Sequence, residues 1–222
     1  MDESGGDTGK ADGWWSRIWR KPKRWFWLGI PPGGYLLFVV GVVFWTAFNL
    51  TLEYSNTEAF CTSCHVMKDN VYVEYTKTIH YSNRTGVRAV CSDCHVPKEW
   101  FPKLGRKIAA TMHEVPHWLM GTINTREKFE ARRLYLAKGV WKNMKHSDSR
   151  ECRNCHELAH MDLDKQQLSA SRRHTLKRQQ ERGETCIDCH QGIAHTLPEG
   201  WEDAYDAIDA AEQDNDVEVS RR

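Results

Sequence analysis

The sequence predicts a mainly α-helical chain with long loops and almost no sheet: one N-terminal transmembrane helix, then a domain built as two halves. Three observations lead there. No charged residue stands between Leu28 and Leu52, a run rich in Leu, Val and Phe. Eight cysteines fall into four Cys-x-x-Cys-His motifs with none left over. The motifs begin 30, 61 and 34 residues apart, which groups them two and two around a longer middle stretch.

The motifs are Cys61, Cys64 and His65; Cys91, Cys94 and His95; Cys152, Cys155 and His156; and Cys186, Cys189 and His190. Two thiols three positions apart add across the two vinyl groups of one porphyrin, and the next histidine is held against one face of the iron. A disulfide framework needs no histidine after each pair. A zinc knuckle joins two Cys-x-x-Cys pairs into one site and does not need it either. The expected cofactors are therefore four c-type haems, covalently attached, in a protein that moves electrons. With a formal charge of +1, no nucleic-acid partner is expected.

The membrane segment follows from length. Gly33 to Leu52 is twenty residues, and at about 1.5 Å per residue it crosses a hydrocarbon core of roughly 30 Å. A cleaved signal peptide has a shorter apolar run and a small-residue cleavage pattern, which Leu52, Glu53, Tyr54, Ser55 and Asn56 lack. Arg17, Arg20, Lys21, Lys23 and Arg24 precede the span, whereas Glu53 and Glu58 follow it. The positive-inside rule then leaves residues 1–27 in the cytoplasm, makes 28–52 the anchor, and sends the haem domain, 53–200, into a bacterial periplasm. Trp14, Trp15, Trp19, Trp25 and Trp27 suit an interfacial belt. The eight acidic residues after Trp201 have few apolar partners, so 201–222 reads as a solvated tail without fixed structure.

Apolar periodicity from Phe129 to Met144 predicts a helix over 126–146, with Met144 a packing residue. A second helix, with Phe101, Leu104, Ile108, Met112 and Val115 on one face and Lys103, Arg106 and Lys107 interleaved, suits an anionic lipid surface. Lys107 and Glu114 are seven apart and share a face. Such a pair can bind a quinol oxygen and relay its protons, or be an ordinary solvated charged face. His113 and His117 match the zinc-protease pattern His-Glu-x-x-His. That pattern needs a continuous helix, and Pro116 is expected to break it. The remaining histidines, His80, His113, His117, His146, His160, His174 and His195, must include the second axial ligands, and spacing alone does not pair them. Met67, two residues past His65, is a rival ligand for the first iron or a gap-filling side chain.

Several stretches resemble one known family. They are Asn56 to Glu58, Phe60 to Met67, Asn83 to Arg88, Cys91 to Pro97, Glu127 to Glu130, Ser149 to His156 and Cys186 to His195. Together they are similar to the NapC/NirT/NrfH tetrahaem quinol dehydrogenases, nearest the NapC and NirT branch. The resemblance implies that Met67 ligates the first iron and that His65 does not. It implies His80 with His190 on the fourth haem, His195 with His156 on the third, and His174 with His95 on the second. It places Lys107 and Glu114 in a quinol pocket beside the first haem. The implied function is oxidation of membrane quinol, menaquinol or ubiquinol, with electrons leaving to a periplasmic nitrate or nitrite reductase. The rivals are a terminal reductase acting directly on nitrite or hydroxylamine, and a passive shuttle without a quinol site.

Overall fold

The computed structural model describes residues 13–20, 28–175, 177 and 181–220, the stretch 212–220 by its backbone alone. The expectations for 1–12, for Lys21, Lys23, Arg24, Trp25 and Trp27, and for the acidic side chains after Ala211 lie outside the described residues. The chain divides into two compact units, Met1–Tyr54 and Ser55–Arg222.

The first unit holds α1 (Trp14–Ile18) and α2 (Pro32–Tyr54). Proline at the first position of α2 loses nothing, because that amide has no intrahelical partner. Asn49 and Thr51 donate their side-chain hydrogens to the carbonyls of Trp45 and Ala47, at 2.7 and 2.9 Å, so these two polar groups of α2 are satisfied within the helix. A Cβ on Gly33 would stand 3.0 Å from the Ile18 carbonyl oxygen and 3.1 Å from the Trp19 ring, so glycine lets α1 approach α2. Alone among the described helices, α2 is long and apolar enough to cross a membrane.

The second unit combines short helices with three long ones, with no strand among the described residues. In order come α3 (Glu58–Cys61), a π-helical turn Met67–Tyr72, α4 (Val73–Tyr75), α5 (Cys91–His95), α6 (Trp100–Leu119), α7 (Arg126–His146), α8 (Arg150–Arg153), α9 (Leu168–Arg173) and α10 (Trp201–Ser220). A 3₁₀ turn at Cys186–Asp188 carries the fourth motif. Helix α7 has the expected bounds, opened by Thr125, whose hydroxyl accepts from the Lys128 amide at 3.3 Å.

Two expectations are corrected. The stretch from residue 201 is not an unpacked tail: its first half is a helix whose Ala204, Tyr205 and Ile208 are buried. They recur at i, i+1 and i+4, and Tyr205 and Ile208 close a core with Trp141 and Ile187 that Leu134, Ala137, Met144, Leu197 and Trp201 flank. Helix α6 also runs through Pro116 without breaking. The proline sits in the last turn, where only one amide bond is lost, and its carbonyl still accepts from the Met120 amide at 2.9 Å. The objection that Pro116 raises to the zinc-protease pattern therefore does not hold; His117 Nδ1 pairs with the Thr122 hydroxyl at 3.1 Å, and no group of three His, Cys, Asp or Glu suited to a metal is found among the described residues.

Candidate haem-binding sites

Short helices bring the motifs side by side. Helix α3 packs on α5, α5 on α8, and α7 on the Cys186–Asp188 turn. No two of the eight cysteines are joined in a disulfide. Cys61 lies beside Cys91, and Cys152 beside Cys186, so the first cysteines of neighbouring motifs meet. The turn into the third motif is strained on purpose: Asp148 and Ser149 have φ of +52° and +47°. Each such residue costs about 1 kcal/mol or more. The strain buries Ser149 completely, and its hydroxyl accepts from the Ile187 amide at 3.1 Å, tying the third motif to the fourth.

Six histidine rings stand in three facing pairs. His95 and His195 have ring centroids 6.2 Å apart, His80 and His156 6.1 Å, and His174 and His190 6.1 Å. A metal bound between two imidazoles at about 2.0 Å from each nitrogen, with each ring centre about 1 Å further back, holds the centres about 6 Å apart. The spacing fits an iron in each pair, and each pair contains one motif histidine. Burial favours the neutral, metal-binding form of four of these rings. It lowers His95 to about 4, with the nearby His195 adding to the effect. His80, His190 and His195 are lowered by burial as well.

The pairing differs from the one the resemblance implied. His80 faces His156 and not His190, His195 faces His95 and not His156, and His174 faces His190 and not His95. The causes lie in the loops. The His174 ring bonds to the Gln166 side chain at 2.6 Å, at the end of α9, where the chain folds back on its own next motif. Thr196, next to His195, is drawn across the domain: its amide donates to Glu74 at 3.0 Å and its carbonyl accepts from Arg133 at 3.2 Å. None of Glu74, Arg133 or Ser149 is given a role by the sequence. The one available signal was the Glu130 and Arg133 spacing on a helix, which forms a 2.7 Å ion pair.

The first motif differs from the other three. His65 Nε2 bonds to the Asn124 carbonyl at 3.0 Å, which turns the ring to backbone. Met67 opens the π-helical turn and is 42% exposed. The charges of Lys107, Glu114 and Glu58 all bear on Cys61 of the first motif. Lys107 Nζ donates to the Ser55 carbonyl at 2.8 Å and to its hydroxyl at 2.9 Å, while Glu114 pairs with Arg106 at 3.3 Å. The same helix leaves Phe101, Ile108, Met112, Trp118 and Leu119 exposed.

Four attachment motifs, six paired imidazoles and one apolar helix define a membrane-anchored multihaem c-type cytochrome. The chain belongs to the NapC/NirT cytochrome c family, whose N-terminal-region model matches residues 31–200. It is 56% identical over 170 residues to the denitrification system component NirT of Stutzerimonas stutzeri, covering 76% of this chain and 83% of that protein. It is 52% identical over 196 residues to the cytochrome c-type protein NapC of Paracoccus pantotrophus, covering 85% and 80%. A putative tetraheme c-type cytochrome of Allochromatium vinosum is 53% identical over 169 residues, covering 76% and 90%. No solved structure matches. The protein carries four covalently bound c-type haems and serves membrane-linked electron transfer.

Proposed function

We propose that this chain oxidises membrane quinol, menaquinol or ubiquinol, and delivers the electrons to a periplasmic nitrate or nitrite reductase. The observation that carries the reading is the convergence of Lys107 and Glu114 on Cys61, from a helix with an exposed apolar face. The relatives named for denitrification and NapC support the kind of acceptor. The charge bias around the anchor places the N-terminus in the cytoplasm and the haem domain on the other side of a bacterial inner membrane.

When bound, the haems take electrons one at a time and pass them on. A quinol must lose two electrons and two protons to become quinone, so side chains have to handle the protons. The Lys107 ammonium donates a hydrogen bond to one quinol oxygen and orients it. The Glu114 carboxylate, exposed beside Arg106, accepts each proton and releases it to water. His80 with His156, His95 with His195, and His174 with His190 are the pairs that would hold three of the irons. Met67 would hold the first iron in place of His65. The two thiol contacts, Cys61 with Cys91 and Cys152 with Cys186, support two dihaem halves.

Stopped-flow reduction by a menaquinol or ubiquinol analogue tests this. Lys107→Ala and Glu114→Ala each slow reduction about 10²-fold, with four haems still attached and dithionite reduction unchanged. Undiminished quinol rates in both variants would remove the site.

A further inference from the structure

The fourth motif is gripped by a helix that lies beyond the stretch matched by the family. Both residues between its cysteines are held by α10. Ile187 is 5% exposed and packs with Trp141, Tyr205 and Ile208, the last 2% exposed. The Tyr205 ring meets Trp141 edge-on at 5.6 Å. Asp188 Oδ1 accepts from the Tyr205 hydroxyl at 2.6 Å and from Lys145 Nζ at 2.6 Å. Its other oxygen accepts from the Thr185 amide at the start of the motif. Lys145 also pairs with Asp209 of α10 at 2.6 Å.

The second motif is an internal control. Its Asp93 stands in the same place and makes the same bond, to the Val90 amide at 2.9 Å. Among the described residues Asp93 makes no ion pair and accepts from no lysine or tyrosine. The extra partners are special to the fourth motif. Asp188, Lys145 and Asp209 meet beside the segment between Cys186 and Cys189, and Arg173 Nη1 stands 3.8 Å from Cys189 Sγ. The Lys145 and Asp188 side chains are only 9% and 12% exposed, so solvent screens them little.

We propose that α10 positions the fourth haem and sets its reduction potential, with Tyr205 and Asp209 acting through Asp188 and Lys145. The hydroxyl of Tyr205 and the ammonium of Lys145 draw charge from Asp188, and Asp209 offsets the ammonium. A more negative surrounding stabilises the oxidised iron and lowers the potential. A less negative one raises it. The inference needs only the four attached haems, and it stands or falls apart from the quinol reading.

The experiment is a spectroelectrochemical titration of the detergent-purified holoprotein, driven by an electrode so that quinol plays no part. Tyr205→Phe keeps the ring in the core and removes one donor, so one of the four waves moves to lower potential. Asp209→Asn removes a negative charge, and the same wave moves to higher potential. Both variants keep four haems and an unchanged low-spin spectrum. Opposite shifts of one wave support the proposal, because mere loosening of the helix moves both variants the same way. Shifts of the same sign, or four unmoved waves in both variants, would overturn it.

Discussion

Arg133 shows how one side chain governs a distant ligand. Only 8% exposed, it grips the Glu74 carboxylate through two nitrogens at 2.9 and 2.7 Å, holds Glu130 at 2.7 Å, and stacks 4.9 Å above Phe129. Removing it leaves two carboxylates without their cation and releases Thr196, and with it His195. Arg133→Met is expected to destabilise the domain by about 3 kcal/mol and to convert one haem from low-spin to high-spin, read by melting and by electron paramagnetic resonance. Burial pushes the Glu74 carboxyl up, but Arg133 and the Thr196 amide outweigh it and hold it below its ordinary 4.5. The stability this gives is fully present above pH 4.5 and is lost as pH falls through the lower, folded value. Acid titration of Glu74→Gln should lack that loss. Met67 and His65 make a simpler case. His65→Ala should leave the first haem's spectrum unchanged, whereas Met67→Ala should alter it. The cysteines and their motif histidines were legible in the sequence because covalent attachment demands a contiguous pattern. Arg133, Glu74 and Ser149 were not, because their partners lie tens of residues away.

At the scale of elements, periodicity read well where a helix has one buried stripe. Helix α7 follows its apolar spacing and its threonine cap. Helix α10 was misread because eight acids in its sequence outweigh three buried positions, although Ala204, Tyr205 and Ile208 are all the helix needs to dock. Ile208→Ala is expected to destabilise the fold by about 3 kcal/mol, visible as a lower Tm by circular dichroism. Helix α6 was expected to stop at Pro116 and does not, since proline late in a helix removes a bond that the end would soon lose anyway. Its exposed Phe101, Met112 and Trp118 are the kind of surface that water does not favour and lipid does.

For the whole molecule, the histidine pairs are the part that pattern alone left open. Sequence order says which histidines exist, and only loop closure says which ones meet. Double variants test the pairing. On the proposed pairing, His80→Ala with His156→Ala should disturb one haem. His80→Ala with His190→Ala should disturb two. Counting high-spin haems distinguishes these outcomes directly.

The crossing of those pairs bears on how the protein is made. As the chain emerges from N- to C-terminus, the third and fourth motifs find His80 and His174 already present. The second motif must wait about a hundred residues, until His195 arrives from beyond the fourth. A chain ended just short of His195 should therefore strand the second haem with one ligand and leave the third and fourth complete. On the proposed pairing the haems are not completed in the order in which the motifs are synthesised, and a residue beyond the fourth motif completes the second.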